Sequence, residues 1–333
     1  MRRAHGRGSL ARTTLCATIA IATLVAGGAS GADSSFPNRA VRIVAAQQPG
    51  SATDNVARLV ADALETHWGV AVAVENRAGA GGMIGAEYAA RAHPDGYTLL
   101  VGGTSNLVIA AAANQDIRYD PAKDFVAVGR VAHVPFVYAV HPAVPAHTLR
   151  ELADLARAQP GKLSYVTLGA TSAGFGMVMF QAQAGVEMLA VDYKGISSAI
   201  PDVLSGRVDA LFNEVASLTP HAQAGRLRLL AVAGPRRIGR LPDVPTTSEQ
   251  GYPNLVIAPW YGLLAPAGTP PEVIERLRAA YEAIMRSPVV RTRIEALGYE
   301  PIDDAPGQFA TALRDDIAAM RTVAKASTKA PAR

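Results

Sequence analysis

The residues Gln47-Gln48-Pro49-Gly50-Ser51-Ala52-Thr53-Asp54 and the run Gly169–Gly174 each follow an apolar stretch and open a helical pattern. A helix N-terminus leaves backbone N–H groups without partners and carries a partial positive charge. Two such loops could hold an anion, above all a carboxylate, with no arginine. Each helix end contributes about 0.3–2 kcal/mol to a bound anion, and ends on opposed domains would add. The candidate ligand residues of the first loop are Gln47, Gln48, Gly50, Ser51, Thr53 and Asp54. Those of the second are Gly169, Thr171, Ser172, Ala173 and Gly174. Thr104, Ser105 and Asn106 end a further strand, and ligands of open α/β sheets bind at the carboxyl ends of strands. Each group also has a plain structural explanation. Ser51 or Thr53, and likewise Ser172, would cap a helix, and Ser and Asn favour turns in any case.

Other chemistries fit less well. Residues 75–86 read ENRAGAGGMIGA, a Gly-rich turn between a strand and a small-residue helix. Gly79, Gly81, Gly82 and Gly85 permit backbone angles and close approaches that side chains block, and such a turn could cradle a phosphate. The spacing does not match a dinucleotide fingerprint, because Ile84 stands where the third glycine is needed, and no G-K-[ST] follows for a P-loop. The seven histidines are scattered, without H-E-x-x-H. Ser172 in Gly169-Ala-Thr-Ser-Ala-Gly174 falls one place too late for a nucleophile elbow. The sequence therefore favours binding over catalysis, and implies neither cofactor nor metal.

The elements that position these loops alternate between strand and helix. Val41–Ala46, Val70–Val74 and Thr98–Val101 are expected strands. Val56, Leu59, Val60, Ala63 and Leu64 recur at helical spacing, and 83–92 is a second helix. The order restarts after Pro142, with Thr148 capping helix 149–158 and Gly161 as its stop signal. Strand Ser164–Leu168, helix 175–184, strand Val191–Tyr193, a helix near 197–205 and strands Ala210–Phe212 and Leu227–Val232 make a second unit. Trp260–Ala265 is a returning strand. Thr269-Pro270-Pro271 and Ser287-Pro288 open helices 270–286 and 288–296, and a last helix covers 307–324. This order predicts an α/β fold of two doubly wound units with parallel sheets. The expected division is residues 1–32, an export signal; 33–135 and 257–325, the first domain; 136–256, the second; and 326–333, a flexible tail. Crossovers are expected at Pro135–Val140 and Ile257–Leu263.

Residues 1–32 have the pattern of a secretory signal. Arg2, Arg3, Arg7 and Arg12 precede an apolar stretch over 13–26, and Ser30-Gly31-Ala32 suits cleavage near Ala32. The apolar run is short of the ~20 residues that span a bilayer, so a periplasmic mature protein is expected. The whole chain carries 32 Lys and Arg against 28 Asp and Glu. Loss of those four arginines leaves the mature chain neutral, which argues against nucleic acid as a partner. Cys16 is the one cysteine and would leave with the signal, so disulfides and thiolate sites are excluded.

Further stretches fall in a fixed order: DGYTLLVGGTSN (95–106), YDPAKDF (119–125), PGKLSYVTLGATSAG (160–174), VDYKG (191–195), LSGRVDALF (204–212), LPDVPTTSEQGYP (241–253) and WYGLLAPAGTPPEV (260–273). With the Gly-rich turn, they give a chain that resembles the Bug-type, TctC-like solute receptors of tripartite tricarboxylate transporters over residues 36–325. The resemblance implies a periplasmic-binding-protein fold of type II, with two α/β domains, a cleft and two crossover strands. It implies capture of a small carboxylate by main-chain amides of the two loops, a monomer, and delivery to one large and one small integral membrane subunit. A ligand sensor of the same fold, or an exported α/β enzyme, is the alternative. Two departures stand out. The family's Pro-Gly-Gly run is replaced here by Gln47-Gln48-Pro49-Gly50-Ser51, and its usual Asp after LSGRVDALF by Asn213, followed by Glu214. A histidine common in the second loop region is missing between Gly169 and Met179. Gln47, Gln48 and Asn213 favour a non-amino acid ligand, since a buried ammonium wants a carboxylate. Trp260 and Tyr261 are expected to pack at the returning strand, Asp192 and Lys194 to be solvated beside Tyr193, and Arg236, Arg237 and Arg240 to form a solvated loop.

Overall fold

The structure, a computed structural model, describes residues 36–327 apart from 114, 115, 170, 235, 256 and 306. The expected signal with Cys16, and the end of the expected tail, lie outside the described residues. In chain order the elements are β1 (Val41–Ala45), α1 (Ala52–Trp68), β2 (Val72–Asn76), a 3-10 turn (Ala80–Gly82), α2 (Met83–Ala90) and β3 (Thr98–Gly103). A π-helical turn (Thr104–Ile109) leads into α3 (Ala110–Ala112), followed by β4 (Phe125–His133), β5 (Phe136–Val140), α4 (Leu149–Ala158), β6 (Ser164–Thr167) and α5 (Ser172–Ala184). Then come β7 (Leu189–Asp192), α6 (Ile196–Leu204), β8 (Ala210–Glu214), α7 (Val215–Gln223) and β9 (Arg228–Val232). β10 (Trp260–Pro266), α8 (Pro271–Arg286), α9 (Pro288–Ala296), β11 (Glu300–Pro301) and α10 (Gln308–Ser327) complete the chain.

The strands form two sheets, ordered β11-β4-β10-β3-β1-β2 and β7-β6-β8-β5-β9. β1 pairs in parallel with β2 and β3, and β6 with β7 and β8, as alternating strands and helices require. The sheets are mixed rather than wholly parallel. β10 runs antiparallel to both β3 and β4, and β5 antiparallel to both β8 and β9. The reason is the passage between sheets: a strand that leaves one sheet enters the other without the helical crossover that parallel pairing needs. β4 stands in the first sheet and β5 in the second, so the first passage is Val134-Pro135, and the apolar run from Phe136 belongs wholly to the second sheet. β2 begins two residues later than its apolar run, because Gly69 closes α1 in the left-handed region and the Glu65 carboxylate receives the Val72 N–H.

The sheet edges and helices are held by ordinary periodicity. Val56, Leu59, Val60 and Leu64 of α1 are buried on the first sheet, and Leu149, Leu152, Ala153 and Ala156 of α4 on the second. A continuous apolar core runs from α1 and α8 through Val131, Val134 and Phe136 to Tyr138 and α5. Separate clusters cover the other face of each sheet. Behind the lobes, the Val134 N–H donates to the Pro259 carbonyl at 2.8 Å and the Val215 N–H to the Pro135 carbonyl at 2.8 Å. These bonds tie the two connecting strands to each other and to β8.

Candidate ligand-binding site

The loop after β1 is built around Asp54. Its carboxylate receives the Gly50 N–H at 2.9 Å, Arg58 Nε at 3.0 Å and Asn76 Nδ2 at 2.8 Å. The same Asn76 amide donates to the Gln47 carbonyl at 3.1 Å. Burial alone would raise the carboxyl's pKa, but the hydrogen bonds from Arg58, Gly50 and Asn76 outweigh it and hold the group below its ordinary range. Asp54 is thus engaged by three protein donors, which set the loop's shape. Ser51 caps α1, its Oγ receiving the Asp54 N–H at 3.3 Å. Among the described residues, the Ala52 and Thr53 N–H groups at the start of α1 have no protein acceptor. Gln48 and Gly50 are exposed, and Gln47 and Ser51 half-buried.

The Gly-rich turn presses on the root of this loop. A side chain at Gly85 would place its Cβ 2.7 Å from Ala46 Cα and 2.8 Å from the Arg77 carbonyl. At Gly82, where φ is +97°, the Cβ would lie 3.0 Å from the Ala46 carbonyl and 3.2 Å from Asn106 Cβ. The glycines allow the turn to close against the end of β1, so their chemistry is packing.

The second loop is capped by Thr171 rather than Ser172, with the Gly174 N–H donated to Thr171 Oγ1 at 3.2 Å. α5 consequently starts three residues earlier than its apolar pattern suggests. Gly169 adopts φ +60°, and a Cβ on Gly174 would lie 2.1 Å from the Gly169 carbonyl, so this turn tolerates only glycine there. The Ser172 N–H reaches across to Ser105 Oγ at 3.1 Å, and the two hydroxyls are 3.2 Å apart. The loops of the two lobes therefore meet directly. The Ala173 N–H has no protein acceptor among the described residues.

Of the triplet after β3, only Ser105 is turned to the opposite lobe. Thr104 Oγ1 receives the Trp260 N–H at 3.0 Å, and Asn106 Oδ1 receives the Gly103 N–H at 2.8 Å. Both are buried and tie β3 to its neighbours. Asn213 is also buried, its amide donating to Ser217 Oγ at 2.8 Å in α7.

The next residue, Glu214, lies differently. Alternation along β8 puts Phe212 and Glu214 on one face and Leu211 and Asn213 on the other. Phe212 packs on Tyr138 and Phe136, within the core that continues into the first lobe. Glu214 keeps part of its surface, yet protein closes round it so tightly that burial pushes its carboxyl up to about 7. Its charge in turn reaches the Tyr261 and Tyr299 phenols. Burial first, and the Glu214 carboxylate second, raise both above the ordinary tyrosine range. The Thr53 hydroxyl lies against the Tyr261 phenol and the Asn55 side chain against that of Tyr299, each acting in the opposite direction. Tyr261 can lie there because Gly103 has no side chain: a Cβ would sit 2.6 Å from the tyrosine ring.

The two aromatic residues of the returning strand thus part company. Trp260 is core, its Nε1 donating to Asp316 Oδ2 at 2.7 Å and its ring edge-on to Phe309. Tyr261 faces Glu214 and the start of α1. Sequence reasoning passed over Tyr261, Tyr299 and Glu214 as site residues. The pleat of β8, with Phe212 inward, was the signal that would have found Glu214. The arginine cluster is tied down: Arg236 pairs with Glu300 at 3.2 Å, Arg237 with Glu249 at 3.0 Å, and Arg240 donates to the Glu295 carbonyl at 2.7 Å near the end of α9. Asp192 and Lys194 are exposed, and the Tyr193 hydroxyl donates to Asp202 at 2.7 Å.

The arrangement offers unpartnered helix-terminal amides from two lobes, hydroxyls, a tyrosine pair and one desolvated carboxyl. No group of three or more His, Cys, Asp or Glu able to hold a metal occurs among the described residues. No described helix is long and apolar enough to cross a membrane. The family model of the tripartite tricarboxylate transporter family receptor, TctC, matches residues 56–328. The protein BugT of Bordetella pertussis is 33% identical over 309 residues, which cover 92% of this chain and 94% of BugT. The structure of Rpa4515 from R. palustris with adipate superposes with a TM-score of 0.81 and 31% identity, covering 88% of this chain and 98% of that one. MatC from Rhodopseudomonas palustris with bound malate gives a TM-score of 0.79 and 29% identity, covering 87% and 100%.

Proposed function

Because the chain belongs to the tripartite tricarboxylate transporter receptor family, we propose that it is a periplasmic receptor that captures a small, non-amino carboxylic acid between its two lobes. The bound acid is then presented to the large and small membrane subunits of a tripartite transporter. The observation that carries this reading is the contact across the lobes between Ser105, in the turn after β3, and Ser172, at the N-terminus of α5. The Ala173 amide follows Ser172 directly in α5, and the Ala52 and Thr53 amides open α1 in the first lobe. A carboxylate bound there would be held by N–H groups and helix dipoles, flanked by Gln47, Gln48 and Ser51. Adipate and malate, bound by relatives of similar fold, fall in the class this chemistry suits.

Binding should be read by calorimetry against succinate, malate, adipate, benzoate and aspartate. At least one of the non-amino acids should bind. Ser51→Phe and Ser172→Phe, which crowd the amides, should each abolish its binding while leaving the circular dichroism spectrum intact. Retained binding in both variants would place the ligand elsewhere, and binding confined to aspartate would refute the ligand class.

A further inference from the structure

Glu214 is an acidic side chain of the second lobe whose charge reaches Tyr261 and Tyr299, the phenols beside the first turn of α1. It ends β8, opposite Phe136 in the β5 ladder. From the first lobe it is met by Tyr261 of β10 and Tyr299 just before β11, and these phenols are in contact with Thr53 and Asn55 of the first turn of α1. Among the described residues no salt bridge to Glu214 occurs, and Arg58, in α1, is committed to Asp54. β5 brings only Phe136 opposite Glu214, and the Ser217 hydroxyl of α7 is bonded to the Glu214 carbonyl rather than to its side chain. Glu300, beside Tyr299, is itself paired with Arg236.

A carboxyl group with no counter-charge among the described residues therefore lies within electrostatic reach of the two phenols that touch the first turn of α1, the helix end that would hold a ligand's carboxylate. Two carboxylates cannot both stay ionised at such a place without a heavy cost, and one of them must carry a proton. We propose that Glu214 meets the ligand as a neutral carboxylic acid and donates its O–H to the ligand's carboxylate, so that capture of the ligand draws one proton from solvent. The proton stays on Glu214 throughout, and no bond of the ligand changes. The inference rests on the carboxylate reading of the cleft. It adds that Glu214 selects anionic over cationic ligand groups and makes affinity depend on pH. Burial already places the group near half-protonation at neutral pH.

The test is calorimetry at pH 6, 7 and 8 with succinate, adipate and benzoate, in buffers of different protonation enthalpy. The wild-type protein should take up about one proton per ligand at pH 8, and its affinity should fall up to about tenfold per pH unit above pH 7. Glu214→Gln, which keeps a donor and cannot ionise, should bind at pH 8 as tightly as at pH 6, with no proton uptake. A wild-type affinity that does not change with pH, or the same slope in Glu214→Gln, would overturn the proposal. So would affinity that rises with pH for aspartate or lysine and vanishes in Glu214→Gln, which would assign Glu214 to a ligand cation. If none of the three acids binds either folded protein at any pH, the carboxylate reading itself fails and the proton-coupled role falls with it.

Discussion

Ser51 and Thr171 spend their hydroxyls in the same way, each accepting an N–H from the first turn of the helix it opens. Their role in shaping the loops can be separated from contact with a ligand. Ser51→Ala should cost about 1 kcal/mol of stability through loss of the cap, read as a lower urea midpoint, and should leave binding near wild type. Ser51→Phe loses the same cap and should in addition abolish binding. Asp54 belongs with these caps, since its carboxylate receives Gly50, Arg58 and Asn76 and holds the loop's shape. Glu214 is the opposite case. Its carboxyl is raised from 4.5 to about 7, so the folded protein keeps a proton that the unfolded chain releases over that interval. Stability must then fall as pH rises from about 4.5 to about 7, and stay at the lower level above it. In a series of urea midpoints against pH, Glu214→Gln should flatten this part of the slope and be the more stable protein at pH 8, by roughly 1–3 kcal/mol. A variant with an unchanged slope would show that Glu214 is ionised freely in the fold.

At the scale of elements, both candidate loops owe their shape to glycines that let backbone meet backbone. The β1–α1 loop is pressed from below by Gly82 and Gly85, and the β6–α5 turn closes where Gly174 meets the Gly169 carbonyl. Gly174→Ala has no flexible neighbour to displace, because the atom it meets is a carbonyl oxygen at 2.1 Å. It should destabilise by roughly 1–3 kcal/mol and, by reopening the turn, remove the thermal response to ligand. A wild-type melting curve for this variant would mean that the turn relaxes freely. The connecting strands are a second constraint at this scale. Val134 and Pro259 are hydrogen-bonded, and Tyr261, two residues beyond Pro259, faces Glu214. The passage between the two sheets and the geometry of the site are therefore linked through the same short stretches of backbone.

For the whole molecule, the expectations concern export and ligand linkage. The basic, apolar and small-residue segments of the first 32 residues predict a product that begins near Asp33, and the intact mass of protein released from the periplasm checks it. A full-length mass would refute it. A ligand present at 100 times its dissociation constant should stabilise the native state by ~2.7 kcal/mol. For a chain of this size that is a rise in Tm of roughly 5 °C, measurable by scanning calorimetry with whichever acid binds in the panel. The lobes share one core through Val134, Phe136 and Tyr138, so a single unfolding transition should move as a unit.

The sequence by itself determined the class of fold and the places of its loops. Helical spacing, caps and Pro or Gly punctuation are local, and they put α4, α8 and α9 within a residue or two of where they lie. The two N-terminal helix loops were legible for the same reason, since strand, small polar residues and helix follow one another along the chain. The family resemblance was legible in the order of motifs. What the sequence did not decide was direction and facing. β4 was not among the expected strands, and β5 and β10 are apolar runs whose composition does not say parallel or antiparallel, a choice made by the passage between the two sheets. The triplet Thr104-Ser105-Asn106 read as three equal candidates, yet Thr104 is taken by a long-range bond from Trp260 and Asn106 by a local one from Gly103, which leaves Ser105 to meet Ser172. Asn213 and Glu214 stand one residue apart, and the pleat turns one to α7 and the other to the tyrosines of the opposite lobe. Such assignments depend on residues a hundred positions away, and only the folded chain brings them within reach.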